Sequence, residues 1–327
     1  MRGVNLKVSV IIPCYNEEEN IAQTIQAIVN VLETVCSFEI IAVNDGSKDG
    51  TWNVLLSLIQ KFSSVKAINF MTNFGQSAAY QAGIDVATGE YVLTISADFE
   101  TDPAHLVTVI KYLDEGYDFV NTNRVNRWVA NASDQEGFSL KNLKSSLANK
   151  LIEKISNVKV SDRGSGMKGM RAIIAKNIKF YTEMHRFIPD YASLYGAKII
   201  EFDVDFQDRQ FGASAYLGQN RTLRVILDLI TLAFMLNFSK KPFKAAPGRL
   251  LGLSGLTMLS TGFLSFIYLM IIKLMGYNIG QRPLLIISVL LIILGFLAIT
   301  MGVIGELLMR VYFESSGRKT YMVRELK

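Results

Sequence analysis

Residues 8–20 read VSVIIPCYNEEEN, an apolar run that ends at a proline and is followed by polar and acidic residues. The run 8–12 is rich in β-branched side chains and predicts a buried strand that stops at Pro13. Residues 17–35 then carry apolar side chains at helical spacing, at positions 21, 25, 28, 29 and 32. The stretch therefore predicts a strand, a loop and a helix.

The same pattern recurs along the next 75 or so residues. Strands are predicted at 39–43, 65–70 and 90–95, helices at 50–62 and 77–87, a turn at 44–47 (NDGS) and a further strand at 119–121. Strands that read as unbroken apolar runs and alternate with helices are typical of a parallel sheet that is covered on both faces. The predicted fold class is α/β, Rossmann-like, with a mostly parallel sheet.

Ligands of such sheets bind beyond the carboxyl ends of the strands. Polar side chains stand at the predicted ends: Tyr15, Asn16 and Glu17, then Asp45, then Asn73, then Asp98 and Glu100. Acidic residues two apart can share one hard cation, so Asp98 and Glu100 are candidate ligands of Mg²⁺ or Mn²⁺. The alternatives are structural: a solvated loop for the acidic pair, a helix cap for Asn16 and a turn that Asp45 organises for itself.

Two long apolar runs, 250–274 and 284–309, lie near the C-terminus. Each is about as long as the roughly 20 residues that a membrane-spanning helix needs. The loop between them carries one charge, Arg282, whereas basic residues flank both runs, so the positive-inside rule places both flanks in the cytoplasm. A buried hairpin of a soluble protein is the alternative. The predicted organisation is a cytoplasmic domain over 1–238, a two-helix anchor over 239–310 and a basic cytoplasmic tail over 311–327.

Composition and charge favour a membrane partner. Half of the 327 residues are hydrophobic, and the formal net charge of +5 is concentrated beside the apolar runs. This distribution suits an anionic lipid surface, and the chain shows no nucleic-acid-binding motif. Residues 139–155 and 221–238 are predicted as amphipathic helices in the membrane interface, with a surface helix packed on the sheet as the alternative for 139–155.

Eight segments resemble a known family. VSVIIPCYNEEEN (8–20), VNDGSKDGT (43–51), NFGQ (73–76) and SADFETDP (96–103) are similar, in order, to the signature of family 2 glycosyltransferases. DRGSG (162–166), FIP (187–189), RQFGASAY (209–216) and GELLMRVY (305–312) resemble the polyprenyl-phosphate sugar transferases, a group that includes dolichol-phosphate mannose synthase and bacterial undecaprenyl-phosphate glucose and aminoarabinose transferases.

The resemblance implies a GT-A nucleotide-sugar domain and a role for each matching residue. The implied donor-binding residues are Pro13, Tyr15 and Glu17 around the base, Asp45 at its edge, Asp98, and Arg209 near the phosphates. The implied acceptor-binding residues are Arg124, Arg127 and Ser146, and the implied metal ligands are Asp98 and Glu100. The implied catalytic residues are Asp98, Arg124, Arg127 and Asp162, with a turn or cap as the alternative for Asp162.

Three positions depart from the family pattern. Ser96 stands where the first Asp of an Asp-x-Asp motif is usual, and Glu100 is expected to restore that charge. Ala215 replaces a Lys that would contact phosphate, which leaves donor affinity and sugar class open. Asp102 lies in Thr-Asp-Pro, where Asp-Pro-Pro is usual, and is expected to order the next helix, with a displaced metal ligand as the alternative.

The resulting hypothesis is inverting transfer of a sugar from a nucleotide diphosphate donor, a UDP-sugar, to undecaprenyl phosphate at the cytoplasmic face of the inner membrane. The product would serve modification of a cell-envelope glycan such as lipopolysaccharide or O-antigen. Relatives of this kind imply a homo-oligomer, up to a tetramer, that packs through glycine-rich spans. Two alternatives stay open: a processive, polysaccharide-extending transferase, and a nucleotide-sugar-binding membrane protein with impaired catalysis.

Overall fold

The computed structural model describes residues 7–125, 153, 158–178, 184–206 and 247–315 of the chain. Apart from Glu153, the helices predicted at 139–155 and 221–238 lie outside these residues, and so do Arg127, Ser146, Arg209 and Ala215. The chain divides into two units, Met1–Ala233 and Phe234–Lys327, and each is described by itself.

A seven-stranded sheet forms the centre of the first unit, in the order β3-β2-β1-β4-β6-β5-β7. Its strands are β1 (Lys7–Cys14), β2 (Ser37–Asn44), β3 (Val65–Asn69), β4 (Tyr91–Thr94), β5 (Phe119–Val125), β6 (Lys168–Arg171) and β7 (Ile199–Asp205). Neighbouring strands are parallel except around β6, which runs antiparallel to both β4 and β5. The predicted α/β fold with a mostly parallel sheet is confirmed. The sequence did not reveal β6, KGMR, because it has neither an apolar run nor a clear alternation.

Helices cover both faces of this sheet. They are α1 (Ile21–Leu32), α2 (Thr51–Lys61), α3 (Gln76–Val86), α4 (His105–Asp114), α5 (Ala172–Asn177), a 3-10 helix (Met184–Phe187) and α6 (Ile188–Leu194). Alternate residues of β1, Val8, Val10 and Ile12, join one apolar cluster with the buried side of α1. Ile11 lies between them in the strand and instead contacts Gly83 of α3 so closely that a Cβ there would lie 2.5 Å from its Cγ2. Burial on both faces explains why β1 reads as an unbroken apolar run.

The second unit is a pair of long helices, α7 (Pro247–Leu274) and α8 (Pro283–Ser315). Both are long and apolar enough to cross a membrane. They approach closely at Gly255, where a Cβ would lie 2.6 Å from the carbonyl oxygen of Gly295, and at Gly262, where it would lie 3.0 Å from that of Ser288. These glycines therefore pack the two helices of one chain against each other, and homo-oligomer formation through the spans stays a prediction.

Candidate active site

The loops that follow β1 and β2 are tied together by reciprocal hydrogen bonds. The Asn16 N–H donates to Ser47 Oγ at 2.9 Å, and the Lys48 N–H donates to Asn16 Oδ1 at 2.9 Å. Asn16 has a φ of 56°, a left-handed conformation that asparagine tolerates better than most residues. The proposal that Asn16 caps α1 is wrong, since the N-cap position is Asn20.

The predicted base-binding residues Pro13, Tyr15 and Glu17 are half-buried at the carboxyl end of β1. Glu17 is fixed from two sides: its N–H donates to Thr51 Oγ1 at 2.9 Å, and its carboxylate accepts from Asn20 Nδ2 at 2.8 Å. Because these contacts come from the chain itself, the shape of this loop is set before any ligand binds.

Asp45 follows β2 and is 1 % exposed. Its carboxylate accepts the N–H of Phe74 at 2.7 Å, the N–H of Gly75 at 2.9 Å and the side-chain amide of Asn73 at 3.1 Å. Burial raises the pKa of Asp45, and the two backbone N–H groups oppose that rise. The Asp45 carboxylate thus organises the β3–α3 loop. The structural alternative, in which it organises its own turn, is wrong. The role at the base edge stays a prediction.

A strained turn carries the predicted metal ligands at the carboxyl end of β4. Phe99 has a φ of 61°, which is uncommon for an aromatic residue and costs on the order of 1–3 kcal/mol. Asp98 is 7 % exposed, and the Glu100 N–H approaches its Oδ1 at 3.4 Å. β1 lies between β2 and β4, so Asp45 and Asp98 share one edge of the sheet about two strand spacings, or 10 Å, apart.

Arg124 joins two of the predicted acidic residues in one partly buried cluster. Its Nε and Nη2 donate to the two carboxylate oxygens of Asp162 at 2.7 and 3.1 Å, and its Nη1 donates to Glu100 Oε2 at 2.6 Å. Burial acts to lower the pKa of Arg124, but the two carboxylates outweigh it and raise the pKa. Among the described residues, one guanidinium thus bonds to two carboxylates at once.

The place of Arg124 in the fold differs from the sequence prediction. It was expected to follow a strand ending at 121, yet β5 continues to Val125, and Arg124 pairs in register with Val204 of β7. The polar stretch NTNR concealed the strand because it shows neither an apolar run nor a clear alternation. Asp162 does hold a turn, since its Oδ1 accepts the Gly164 N–H at 3.1 Å, and its catalytic role stays a prediction.

The DRGSG loop packs directly on the end of β4. A Cβ at Gly166 would collide with the hydroxyl of Ser96, so only glycine allows this approach. The Thr94 hydroxyl donates to the Gly166 carbonyl at 2.9 Å. Ser96, the departure from the acidic motif, is therefore a packing contact between β4 and the loop that bears Asp162.

Two buried cations near the cluster were not singled out from the sequence. Burial lowers the pKa of Lys168 on β6 to about 7, while the charge of Asp162 opposes this shift; the ammonium donates to the Ser165 carbonyl. Arg163 forms a buried two-point ion pair with Asp190 on α6, at 3.0 and 3.1 Å. A lone Lys or Arg in a sequence reads as a surface charge, and only tertiary pairing shows otherwise.

The donor set at the end of β4 suits a cation that is shared with a substrate. Among the residues that the structure describes, no group of three or more His, Cys, Asp or Glu side chains could hold a metal. Asp98 and Glu100 supply carboxylates on one short turn, and Mg²⁺ in phosphate-handling enzymes takes one or two carboxylates plus substrate phosphates. Asp102 is not part of this set: its Oδ1 accepts the Ala104 N–H at 2.8 Å and orders the start of α4, as expected.

Comparison with known proteins agrees with this arrangement. Residues 9–179 match the model of the family described as Glycosyl transferase family 2. Dodecaprenyl-phosphate galacturonate synthase of Rhizobium johnstonii is 32% identical over 336 residues, covering 100% of this chain and 96% of that protein. Undecaprenyl-phosphate 4-deoxy-4-formamido-L-arabinose transferase of Photorhabdus laumondii subsp. laumondii is 29% identical over 324 residues, covering 98% and 94%.

Solved structures share the fold at low sequence identity. Glucosyl-3-phosphoglycerate synthase of Mycobacterium tuberculosis, in complex with Mn²⁺ and UDP-glucose, gives a TM-score of 0.52 at 16% identity over 70% of this chain and 79% of that one. Its complex with Mn²⁺, UDP and phosphoglyceric acid gives 0.53 at 16% identity over 69% and 78%. The expected GT-A-like fold is confirmed. With the family matched over residues 9–179 and a relative matched along the whole chain, the protein belongs to glycosyl transferase family 2 and is a glycosyltransferase of the polyprenyl-phosphate sugar transferase type.

Proposed function

We propose that this enzyme transfers a sugar, with inversion, from a UDP-sugar to polyprenyl phosphate at the cytoplasmic face of a membrane. The observation that carries the proposal is the span of the match to two relatives named for polyprenyl phosphates, which takes in both membrane-length helices. Exposing a polyprenyl chain to water costs about 25 cal/mol per Å² of apolar surface. A transferase for such an acceptor has to work at the membrane, and α7 and α8 would anchor it there.

The donor would bind along the edge formed by the ends of β1, β2 and β4. Tyr15 and Glu17 would flank the base, with Asp45 at its edge. The loops that carry these residues are already fixed by hydrogen bonds within the chain. Little ordering entropy is then lost on binding, because the loops need no rearrangement.

Asp98 and Glu100 would hold a divalent cation, Mg²⁺ or Mn²⁺, which supplies positive charge that stabilises the departing diphosphate. Glu100 has a second duty, because Arg124 Nη1 lies 2.6 Å from its Oε2.

The acceptor would be positioned by Arg124 together with Arg127, a residue outside the described part of the chain. A phosphate monoester has its second pKa near 6, so it is largely a dianion at neutral pH and needs little help from a base. The work of the protein is then placement and charge balance. Asp162 fixes the guanidinium plane of Arg124 with two hydrogen bonds, which is the geometry that suits a forked donor.

The direct test is transfer by the purified full-length protein in detergent. It is supplied with undecaprenyl phosphate, Mn²⁺ and, in parallel, UDP-glucose, UDP-galacturonate and a UDP-4-amino sugar, and lipid products are identified by mass spectrometry. We expect one donor to give a lipid-linked sugar and its anomeric configuration, read by NMR, to be opposite to that of the donor.

Three outcomes would contradict the proposal. Binding of UDP without any lipid product would favour a catalytically impaired protein. Extension of a glycan primer in place of the lipid would favour the polysaccharide-extending alternative. Retention of configuration would exclude a single direct displacement.

A further inference from the structure

The loop that bears Asp162 is held by a carboxylate from the edge strand β7. Glu201 Oε2 accepts the Ser161 N–H at 2.8 Å, and its Oε1 accepts the Ser161 N–H at 3.0 Å and the Asp162 N–H at 3.2 Å. Hydrogen bonds from backbone N–H groups to an ionised carboxylate are among the stronger ones in proteins. Glu201 thus fixes the backbone of the residue that orients Arg124.

Asn121 on β5 completes this support. Its Nδ2 donates to Glu201 Oε1 at 2.8 Å and to the Asp162 carbonyl at 2.9 Å. Asn121 is fully buried and is the register partner of Glu201 across β5 and β7. The amide and the carboxylate therefore clamp both polar groups of the Asp162 peptide backbone.

A continuous series of contacts runs from this clamp to the end of β4. Glu201 and Asn121 hold the backbone of Asp162; Asp162 holds Arg124 with two hydrogen bonds; Arg124 reaches Glu100 at 2.6 Å. We propose that Glu201 is a positioning residue for the acceptor side of the reaction, acting through Asp162 on the guanidinium of Arg124. The inference rests on the proposed transfer to a lipid phosphate.

Glu201 would act on Arg124 indirectly, through the backbone that carries Asp162. Releasing the two N–H groups lets the 161–162 backbone move, and a forked arginine pair transmits a shift of its carboxylate directly to the guanidinium. A misplacement of about 1 Å in a reacting site can cost about 100-fold in rate. The loop is also anchored by the buried Arg163–Asp190 pair, so the expected loss on removing Glu201 is smaller, about tenfold.

The same two strands offer a matched control. Asn123 Nδ2 donates to Asp203 Oδ1 at 2.8 Å, two residues farther along both strands, and this pair is exposed. It has the chemistry of the Asn121–Glu201 pair, and among the described residues neither side chain hydrogen-bonds to the Asp162 loop. Asp203→Ala therefore removes an Asn–carboxylate pair from the β5–β7 ladder without touching the clamp.

The experiment compares wild type, Glu201→Ala, Glu201→Gln and Asp203→Ala in the full-length protein, measuring kcat, both KM values and the melting temperature. We expect Glu201→Ala to lower kcat/KM for the lipid phosphate by about tenfold. The KM for the donor should stay within about twofold of wild type, and Asp203→Ala should transfer normally. Glu201→Gln keeps a carbonyl oxygen for the loop N–H groups and should recover part of the loss.

The outcomes separate this inference from the proposed function. If wild type makes no lipid product, the proposed function fails and Glu201 is not at issue. If wild type transfers but Glu201→Ala behaves like Asp203→Ala, the positioning role is overturned. It is equally overturned if donor and acceptor parameters fall together, or if Glu201→Gln is as impaired as Glu201→Ala although both proteins melt as wild type does.

Discussion

The carboxylates at the two opposite edges of the same sheet have different surroundings. At the amino edge, Glu39 Oε1 accepts from Ser9 Oγ at 2.7 Å and from the Thr88 N–H and hydroxyl at 2.8 and 2.6 Å, while Oε2 accepts from Lys66 Nζ at 2.8 Å. At the carboxyl edge, Glu100 and Asp162 share one guanidinium, that of Arg124. Among the described residues, Glu39 thus has one cation and several neutral donors to itself, whereas Glu100 and Asp162 bond to the same guanidinium.

This difference is the one expected between a group that stabilises the fold and groups that we propose to serve the reaction. Although burial acts to raise the pKa of Glu39, its bonds to Lys66, Thr88 and Ser9 lower it to about 2, so the native state favours the ionised form. The carboxyl edge instead contains energetically unfavourable features. These are neighbouring carboxylates, a left-handed backbone conformation at Phe99 and a buried lysine. Such strain and charge collect at functional sites because added ligands relieve them.

Removal of Arg124 is the strongest test of the carboxyl edge. Arg124→Ala removes the guanidinium that bonds to both Glu100 and Asp162, so we expect kcat/KM for transfer to fall by about 100-fold or more. Arg124→Lys keeps the charge but loses the fork and should recover only a small part. Steady-state transfer to undecaprenyl phosphate measures the effect.

The matched control is Arg171→Ala, because Arg171 also pairs with an aspartate, Asp118 at 3.4 Å, but its side chain is 31% exposed. That variant should retain activity within about twofold, as expected for an exposed pair. Equal activities of the Arg124 and Arg171 variants, with both proteins folded, would remove Arg124 from the mechanism.

Asp98→Ala tests the proposed cation site. We expect Mn²⁺ to increase the affinity of the wild-type protein for UDP. In the variant the factor of this increase should be at least about tenfold smaller, because one of the two carboxylate ligands is lost. Isothermal titration calorimetry with UDP, with and without Mn²⁺, measures this affinity and does not depend on turnover. Asp102→Ala is the control, because Asp102 only orders the start of α4. An undiminished Mn²⁺ effect in Asp98→Ala would contradict the assignment.

The sequence predicted the first half of the fold well and the acidic cluster poorly. The strands β1 to β4 are apolar runs, and their polar ends identify the edge where ligands bind, so local pattern was sufficient there. Strand β6 and the end of β5 carry polar residues whose partners lie far along the chain. The bond of Arg124 to Asp162 spans 38 residues, and no local pattern encodes it.

Family resemblance named Arg124 and Asp162 as separate site residues but gave no sign that they pair. Glu201 and Lys168 carry no motif at all. They become visible only through burial and through the β5–β7 and β5–β6 registers that place them around Asn121. Residues that act through others leave little trace in a sequence for this reason.

At the amino edge, Glu39→Ala should affect stability and spare activity. The change leaves the Ser9 hydroxyl and the Thr88 donors without their acceptor, which costs about 2–3 kcal/mol. For a domain of this size we expect a melting temperature about 5–10 °C lower. Transfer at 20 °C should stay within about twofold of wild type. If a folded Glu39→Ala protein lost activity, the claim that the amino edge serves stability and not the reaction would be contradicted.

The pH dependence of stability sharpens the same contrast. Because the pKa of Glu39 is about 2 in the folded protein and 4.5 ordinarily, its stabilisation is complete above pH 4.5 and is lost as the pH falls from 4.5 towards 2. Glu39→Gln lacks this titration. The melting temperatures of wild type and Glu39→Gln should therefore differ most above pH 5 and approach each other as the pH falls towards 2. A constant gap over that range would show that Glu39 does not supply the linkage.

Lys66→Ala should give the smallest effect, although Lys66 supplies the only ion pair that the described residues offer Glu39. The lysine side chain is 56% exposed, so water screens the pair, and an exposed pair contributes about 0.2–1 kcal/mol. The neutral donors Ser9 and Thr88 remain in place to hold the carboxylate. We expect a loss of about 1–3 °C in melting temperature, smaller still at 0.5 M NaCl than at low salt. A loss as large as that of Glu39→Ala would mean that the lysine charge, rather than the buried neutral donors, keeps Glu39 ionised.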